Sequence, residues 1–116
     1  MKKILGLIPT VISRRKKINF IIDNNLINFF QKCFPNYKIE ILYNTKIKSK
    51  LDLIVSSGGN TITILNNNPP NKFRKKLDNF YFNLALKNDI KFLGICHGAQ
   101  YVANFFKSKI IKKKNH

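Results

Sequence analysis

The residues best suited to nucleophilic chemistry are two cysteines and two histidines, and one of each falls in Phe92-Leu93-Gly94-Ile95-Cys96-His97-Gly98-Ala99-Gln100. An apolar run ends at Cys96, with a glycine two residues before it and another two after. This is the pattern of a nucleophile elbow carrying Cys in place of Ser. The reacting residue of an elbow sits in a strained backbone conformation, and side chains at the flanking positions would collide in so tight a turn. A helix starting there would aim its N-terminal amides at the sulfur. That favours thiolate over thiol and can hold an oxyanion once the thiolate attacks a carbonyl. An oxyanion hole usually draws a second donor from another strand end. Ser57-Gly58-Gly59-Asn60 follows a second apolar run and offers one: its second glycine, Gly59, can turn its amide toward a substrate without a Cβ in the way.

The remaining candidates carry less. Cys33 shares a helical stripe with Phe30 and Phe34 and is expected to pack as a small core residue. His97 has three readings: an exposed elbow residue lending its amide, which carries most weight, a catalytic base, or a loop histidine without a role. His116 is expected to have none. Two His, two Cys and few carboxylates are too scattered for metal-ligand spacing, so no metal site is visible and no cofactor is implied.

The elements that must position this chemistry follow from periodicity. Ile4-Leu5-Gly6-Leu7-Ile8 reads as a buried strand stopped by Pro9, and residues 10–19, polar and basic, read as a loop. Asp23 or Asn24 can cap a helix to about Phe34, with Leu26, Ile27, Phe30 and Phe34 at helical spacing. Tyr37 to Tyr43 alternates like a strand, and Leu51 to Ser56 is a buried strand running into the Gly-Gly turn. Lys72 to Asn88 carries a helical stripe of Phe73, Leu77, Phe80, Tyr81 and Leu84. Ile90 to Ile95 is a further buried strand, and a helix from Gly98 would turn Val102, Ala103 and Phe106 inward. Strands alternating with helices predict an α/β fold, a parallel sheet with helices on both faces. The carboxyl ends of parallel strands share one edge, so the Gly-Gly turn and Cys96 should face one crevice.

A length of 116 residues predicts a single domain over 1–116, and 44% hydrophobic residues exclude a disordered chain. No apolar run approaches the ~18 residues of a membrane span. The short apolar stretch before Pro9 is no secretory h-region, and two cysteines without a secretory context fit a reducing, cytoplasmic location. The net charge of +17 clusters at Arg14 to Lys17, Lys46 to Lys50, Lys72 to Lys76 and Lys107 to Lys114. Charge alone points to a polyanion. The joint richness in Lys, Asn, Ile and Phe reads instead as a coding bias acting on exposed positions, which argues against nucleic acid as the partner.

The segment Gly94 to Gln100, GICHGAQ, resembles the elbow of the class I glutamine amidotransferase-like superfamily, Gly-(Leu/Ile/Val)-Cys-x-Gly-x-Gln, and SSGGN resembles its Gly-Gly turn. The helix from Lys72 to Asn88 and the stretch SRRKKINFIIDNNLINFF are most similar to the γ-glutamyl-γ-aminobutyrate hydrolase branch, peptidase C26. The resemblance implies a flavodoxin-like three-layer sandwich. It also implies that Cys96 attacks the side-chain amide of glutamine or a γ-glutamyl compound, forming a thioester that water hydrolyses. On this resemblance the amides of Gly59 and His97 form the oxyanion hole, while Gly58 and Gln100 serve substrate binding. The implied partners are a γ-glutamyl small molecule and a synthase subunit or completing chain. Members of the family activate the cysteine with a His and a Glu two residues apart, downstream of the elbow. No His-x-Glu occurs here, and Glu40 is the only Glu. The expectation is therefore a domain truncated at its C-terminus, completed by further polypeptide or catalytically dead. Two rivals stand beside this reading. One is a DJ-1/PfpI-like protein of glyoxalase, deglycase or redox type with an active His97, and the other is a basic binding module whose elbow is a relic.

Overall fold

Strand β1 (Lys3–Ile8) lies inside a four-stranded parallel sheet with β4 (Tyr37–Ile41), β5 (Leu53–Ser56) and β6 (Lys91–Gly94), in the order β4-β1-β5-β6. The computed structural model describes residues 2–61, 63 and 65–107; the basic tail beyond Lys107, with His116, lies outside the described residues. Helices α1 (Asn24–Cys33), α2 (Pro69–Asn88) and α3 (His97–Phe105) cover the sheet. The fold is thus α/β and flavodoxin-like.

Alternation along the strands decides which face each side chain meets. Leu5, Leu7, Leu53 and Val55 point to one face and bury Phe30 of α1. Ile8 and Ile54 point to the other and pack on Leu77, Tyr81 and Ala85 of α2. Helix α3 joins the α2 side, where Tyr101 meets Phe82 edge-on with ring centroids 5.7 Å apart. The helix signals hold: Asp23 caps α1 by accepting from the Asn25 amide at 2.8 Å, and Asn68 caps α2 with prolines in its first turn.

Three expectations are corrected. Residues 10–19 are not a loop but most of an antiparallel hairpin, β2 (Thr10–Arg14) and β3 (Lys17–Ile21), in the register Thr10↔Ile21 to Arg14↔Lys17. The β-branched residues Thr10, Val11, Ile12, Ile18 and Ile21 favour strands. The usual Asn-Gly turn signal is missing because Arg15 and Lys16 take positive φ values of 51° and 63° instead. Cys33 is exposed rather than buried. Phe34 stacks on Phe30 and meets Tyr37, so aromatic rings fill the end of α1 and leave the thiol outside. Phe106 follows the last residue of α3 and is 64% exposed, while Phe105 makes the closer contact with Phe82 at 4.7 Å.

Candidate active site

The carboxyl ends of β1, β5 and β6 lie side by side, tied by the Ser57 amide to Ile8 O at 3.3 Å and the Ile95 amide to Ser56 O at 2.9 Å. The Gly-Gly turn and the cysteine therefore share one edge. A Cβ placed on Gly58 would stand 3.1 Å from the Cβ of Cys96.

Cys96 has φ 52° and ψ −105° and is exposed. A non-glycine residue in this region costs on the order of 1–3 kcal/mol and is held there only by its surroundings. The flanking glycines are what permits it. A Cβ on Gly94 would lie 2.5 Å from the carbonyl carbon of Gly98, and one on Gly98 would run into Ser56. The elbow closes with the Gly98 amide on Ile95 O and the Gln100 amide on Cys96 O, both at 3.0 Å. Helix α3 starts at His97, whose amide has no acceptor within its own helix. Gly59 has φ +98°, which glycine alone adopts without strain, and a Cβ there would collide with Thr10.

In front of Cys96 opens a cavity of about 330 Å³. Its walls come from Leu7 and Pro9, from Thr10 and Ile21 at the base of the hairpin, from Ile22, Asp23 and Leu26, and from Ser57, Gly58, Gly59 and Ile95. Three sequence candidates, Cys96, Gly58 and Gly59, line this cavity, and His97, the next residue after Cys96, opens α3. Gln100 is exposed on α3 and is not among the residues lining the cavity.

The side chain of His97 corrects the expectation of an exposed elbow residue. It is buried, with 3% of its surface exposed. Nδ1 lies 3.1 Å from Asn60 O and Nε2 lies 2.8 Å from Asp78 Oδ2. Both ring nitrogens are engaged, so the ring ties the start of α3 to Asn60 and Asp78.

Behind the site lies a buried polar cluster that sequence reasoning missed. Arg74 and Asp78 are both 0% exposed and pair across one helical turn of α2 at 3.3 Å. Arg74 also donates to Pro9 O at 3.0 Å, Ser57 O at 2.5 Å, Asn60 Oδ1 at 3.3 Å and Ser56 Oγ at 2.8 Å. Ser56 Oγ donates to Asp78 Oδ1 at 2.8 Å. Burial pulls the Arg74 guanidinium below its usual value, and the Asp78 charge pulls it back. An Arg stays cationic under such opposing effects. Asn60 ties the hairpin in, accepting from the Val11 amide at 2.8 Å and donating to Val11 O at 2.7 Å, while Thr10 Oγ1 donates to Gly58 O at 2.6 Å. One ion pair thus fixes the ends of β1 and β5 and, through His97, the start of α3. The available signal was an Arg and an Asp four apart on the face of α2 that carries Leu77 and Tyr81.

Among the described residues no three His, Cys, Asp or Glu side chains converge as metal ligands, and no helix is long and apolar enough to cross a membrane.

No family model matches the chain, and no solved structure matches it. Over 96 residues it is 29% identical to a γ-glutamyl-CDP-amidate hydrolase of Campylobacter jejuni. The match covers 83% of this chain and 46% of that protein, so the chain spans less than half of its relative's length.

Proposed function

We propose that Cys96 is the nucleophile of an amidotransferase-like hydrolase that cleaves the γ-amide of glutamine or of a γ-glutamyl compound, in the manner of the peptidase C26 branch. One observation carries the reading. The cysteine occupies a strained elbow, φ 52°, and lines one cavity together with the adjacent Gly58-Gly59 turn. The sulfur attacks the γ-carbonyl carbon and the C–N bond breaks. The thiol proton leaves with the amine, and a γ-glutamyl thioester remains. Water then adds to the thioester, releasing the γ-carboxylic acid and restoring the thiol. The amides of His97 and Gly59 stabilise the oxyanion of each tetrahedral stage. The relative's name speaks of a γ-glutamyl group linked through nitrogen to a nucleoside diphosphate. This supports a γ-glutamyl acyl group here, with the group beyond the nitrogen extending out of the cavity.

Mass spectrometry of the protein mixed with a γ-glutamyl amide tests this reading. A γ-glutamyl adduct on Cys96 is expected, with hydroxylamine converting it to the free hydroxamate. Neither product should appear with Cys96→Ala. An adduct on Cys33, or hydroxamate formation that survives Cys96→Ala, refutes the assignment.

A further inference from the structure

The β2–β3 hairpin extends one wall of the Cys96 cavity outward. Residues opposite each other on antiparallel strands share a face, and the face alternates along each strand. Val11, Ile18 and Phe20 pack toward α2. Thr10 and Ile21, a direct pair, belong to the other face and line the cavity. The register puts the pairs Ile12 with Asn19 and Arg14 with Lys17 on that same face. From Thr10 to Arg14 the strand rises roughly 13 Å. A ligand leaving the cavity along this face therefore meets two paired cations at the hairpin tip.

The tip is concave. Arg14, Arg15, Lys17 and Asn19 line a hollow of about 460 Å³. Arg14 to Lys17 are four consecutive cations, and none has an ion-pair partner among the described residues. A coding bias toward Lys does not account for the arginines. The chain has three, against nineteen lysines: Arg74 is buried in its ion pair, and the other two are adjacent here. Arg15 and Lys16 also keep their charges at positive φ, where Asn-Gly would sit without strain. A guanidinium fork beside an ammonium suits a phosphoryl group, whose oxygens accept several charge-assisted hydrogen bonds.

We propose that Arg14 and Lys17 bind a phosphoryl group on the amine half of the substrate, the half released when the γ-amide is cleaved at Cys96. This rests on the hydrolase reading and adds the substrate class: γ-glutamyl amides of phosphorylated amines. The acyl group occupies the cavity, the amine half runs along Thr10, Ile12 and Asn19, and the phosphoryl group lies in the hollow at the tip.

The test measures the binding of three γ-glutamyl amides built on one six-carbon amine chain, ending in a phosphate, a carboxylate or a methyl group. The host is Cys96→Ala, which does not consume them. The phosphate probe should bind roughly tenfold tighter than the methyl probe, the size of a charge-assisted hydrogen bond at an exposed site, with the carboxylate between them. Adding Arg14→Gln and Lys17→Gln should bring the phosphate probe to the level of the methyl probe. The melting temperature should not change, because both side chains are exposed. Lys87→Gln with Lys91→Gln removes the same charge at the opposite edge of the sheet and should leave the preference intact. Equal losses in the two pairs, or a phosphate preference that survives Arg14→Gln with Lys17→Gln, would overturn the assignment. Carboxylate binding as tight as phosphate would overturn the choice of a phosphoryl group. No phosphate preference, alongside a γ-glutamyl adduct on Cys96 in the wild-type protein, overturns this inference and leaves the hydrolase reading standing. Hairpin-dependent phosphate binding without that adduct refutes the hydrolase reading, and with it the placement of the phosphate on a released amine.

Discussion

Replacing Arg74 by Met should unlock the whole edge on which the site is built. Met matches the aliphatic stem but removes a guanidinium that makes five hydrogen bonds, to Pro9 O, Ser57 O, Asn60 Oδ1, Ser56 Oγ and Asp78 Oδ1. Asp78, fully buried, would keep only Ser56 and His97 as partners. Breaking one side of a buried ion pair costs about 3–5 kcal/mol because the remaining charge has no counterpart. The orphaned carbonyls of Pro9 and Ser57 add to this, at up to about 1–3 kcal/mol for each buried acceptor left unpaired. We expect a loss of about 4 kcal/mol or more, out of a typical total of roughly 5–15 kcal/mol. At a urea slope of about 1–3 kcal/mol/M, the unfolding midpoint should fall by roughly 2 M. Asp78→Asn keeps the shape but drops the charge and should cost about 3 kcal/mol. The double variant should cost clearly less than the sum, with a coupling above about 1 kcal/mol. Either single substitution costing under about 1 kcal/mol, or strict additivity in the double variant, would refute the argument that this pair holds the site together.

The two glycines of the turn should separate stability from reactivity. Gly59→Ala forces φ +98° on a residue with a Cβ and drives it into Thr10, so it should cost about 2 kcal/mol or more in urea unfolding. Gly58→Ala should fold, yet slow alkylation of Cys96 relative to Cys33, its internal control, because the new Cβ lies 3.1 Å from that of Cys96. At alkaline pH, burial first, then the Glu40 charge, raises the Tyr81 phenol above its ordinary value of 10.0, and burial first, then the Asp78 charge, raises that of Tyr101. A raised pKa means the folded state keeps protons that the unfolded chain releases, so stability should decline as pH rises above about 10. The decline should be shallower in Tyr81→Phe and Tyr101→Phe, read as melting temperature against pH. Placing Asn-Gly at Arg15 and Lys16 relieves two positive-φ residues and should stabilise the hairpin by about 1–2 kcal/mol. An unchanged or lower melting temperature would contradict that account.

What the sequence determined by itself was local. Gly94 is required by the turn itself, where a Cβ would meet the backbone of Gly98 and Ala99, so the elbow was legible from its glycines, although the crowding at Gly98 comes from Ser56 on β5. The Asp23 cap, the Asn68 cap and the alternating or helical apolar stripes each act within a few residues, so α1, α2 and the four sheet strands were legible. The hairpin was not, because its turn carries Arg15 and Lys16 in a conformation that residue preference argues against. Only the tertiary structure decided what supports the elbow. Thr10 reaches Gly58 across 48 residues, Arg74 reaches Ser57 across 17, and Asp78 reaches His97 across 19. Whether a histidine after the nucleophile faces solvent or an aspartate depends on where α2 lies against the sheet. That placement follows from packing Leu77, Tyr81 and Ala85 over Ile8 and Ile54, residues whose apolar character is visible in sequence but whose partners are chosen only when the core closes.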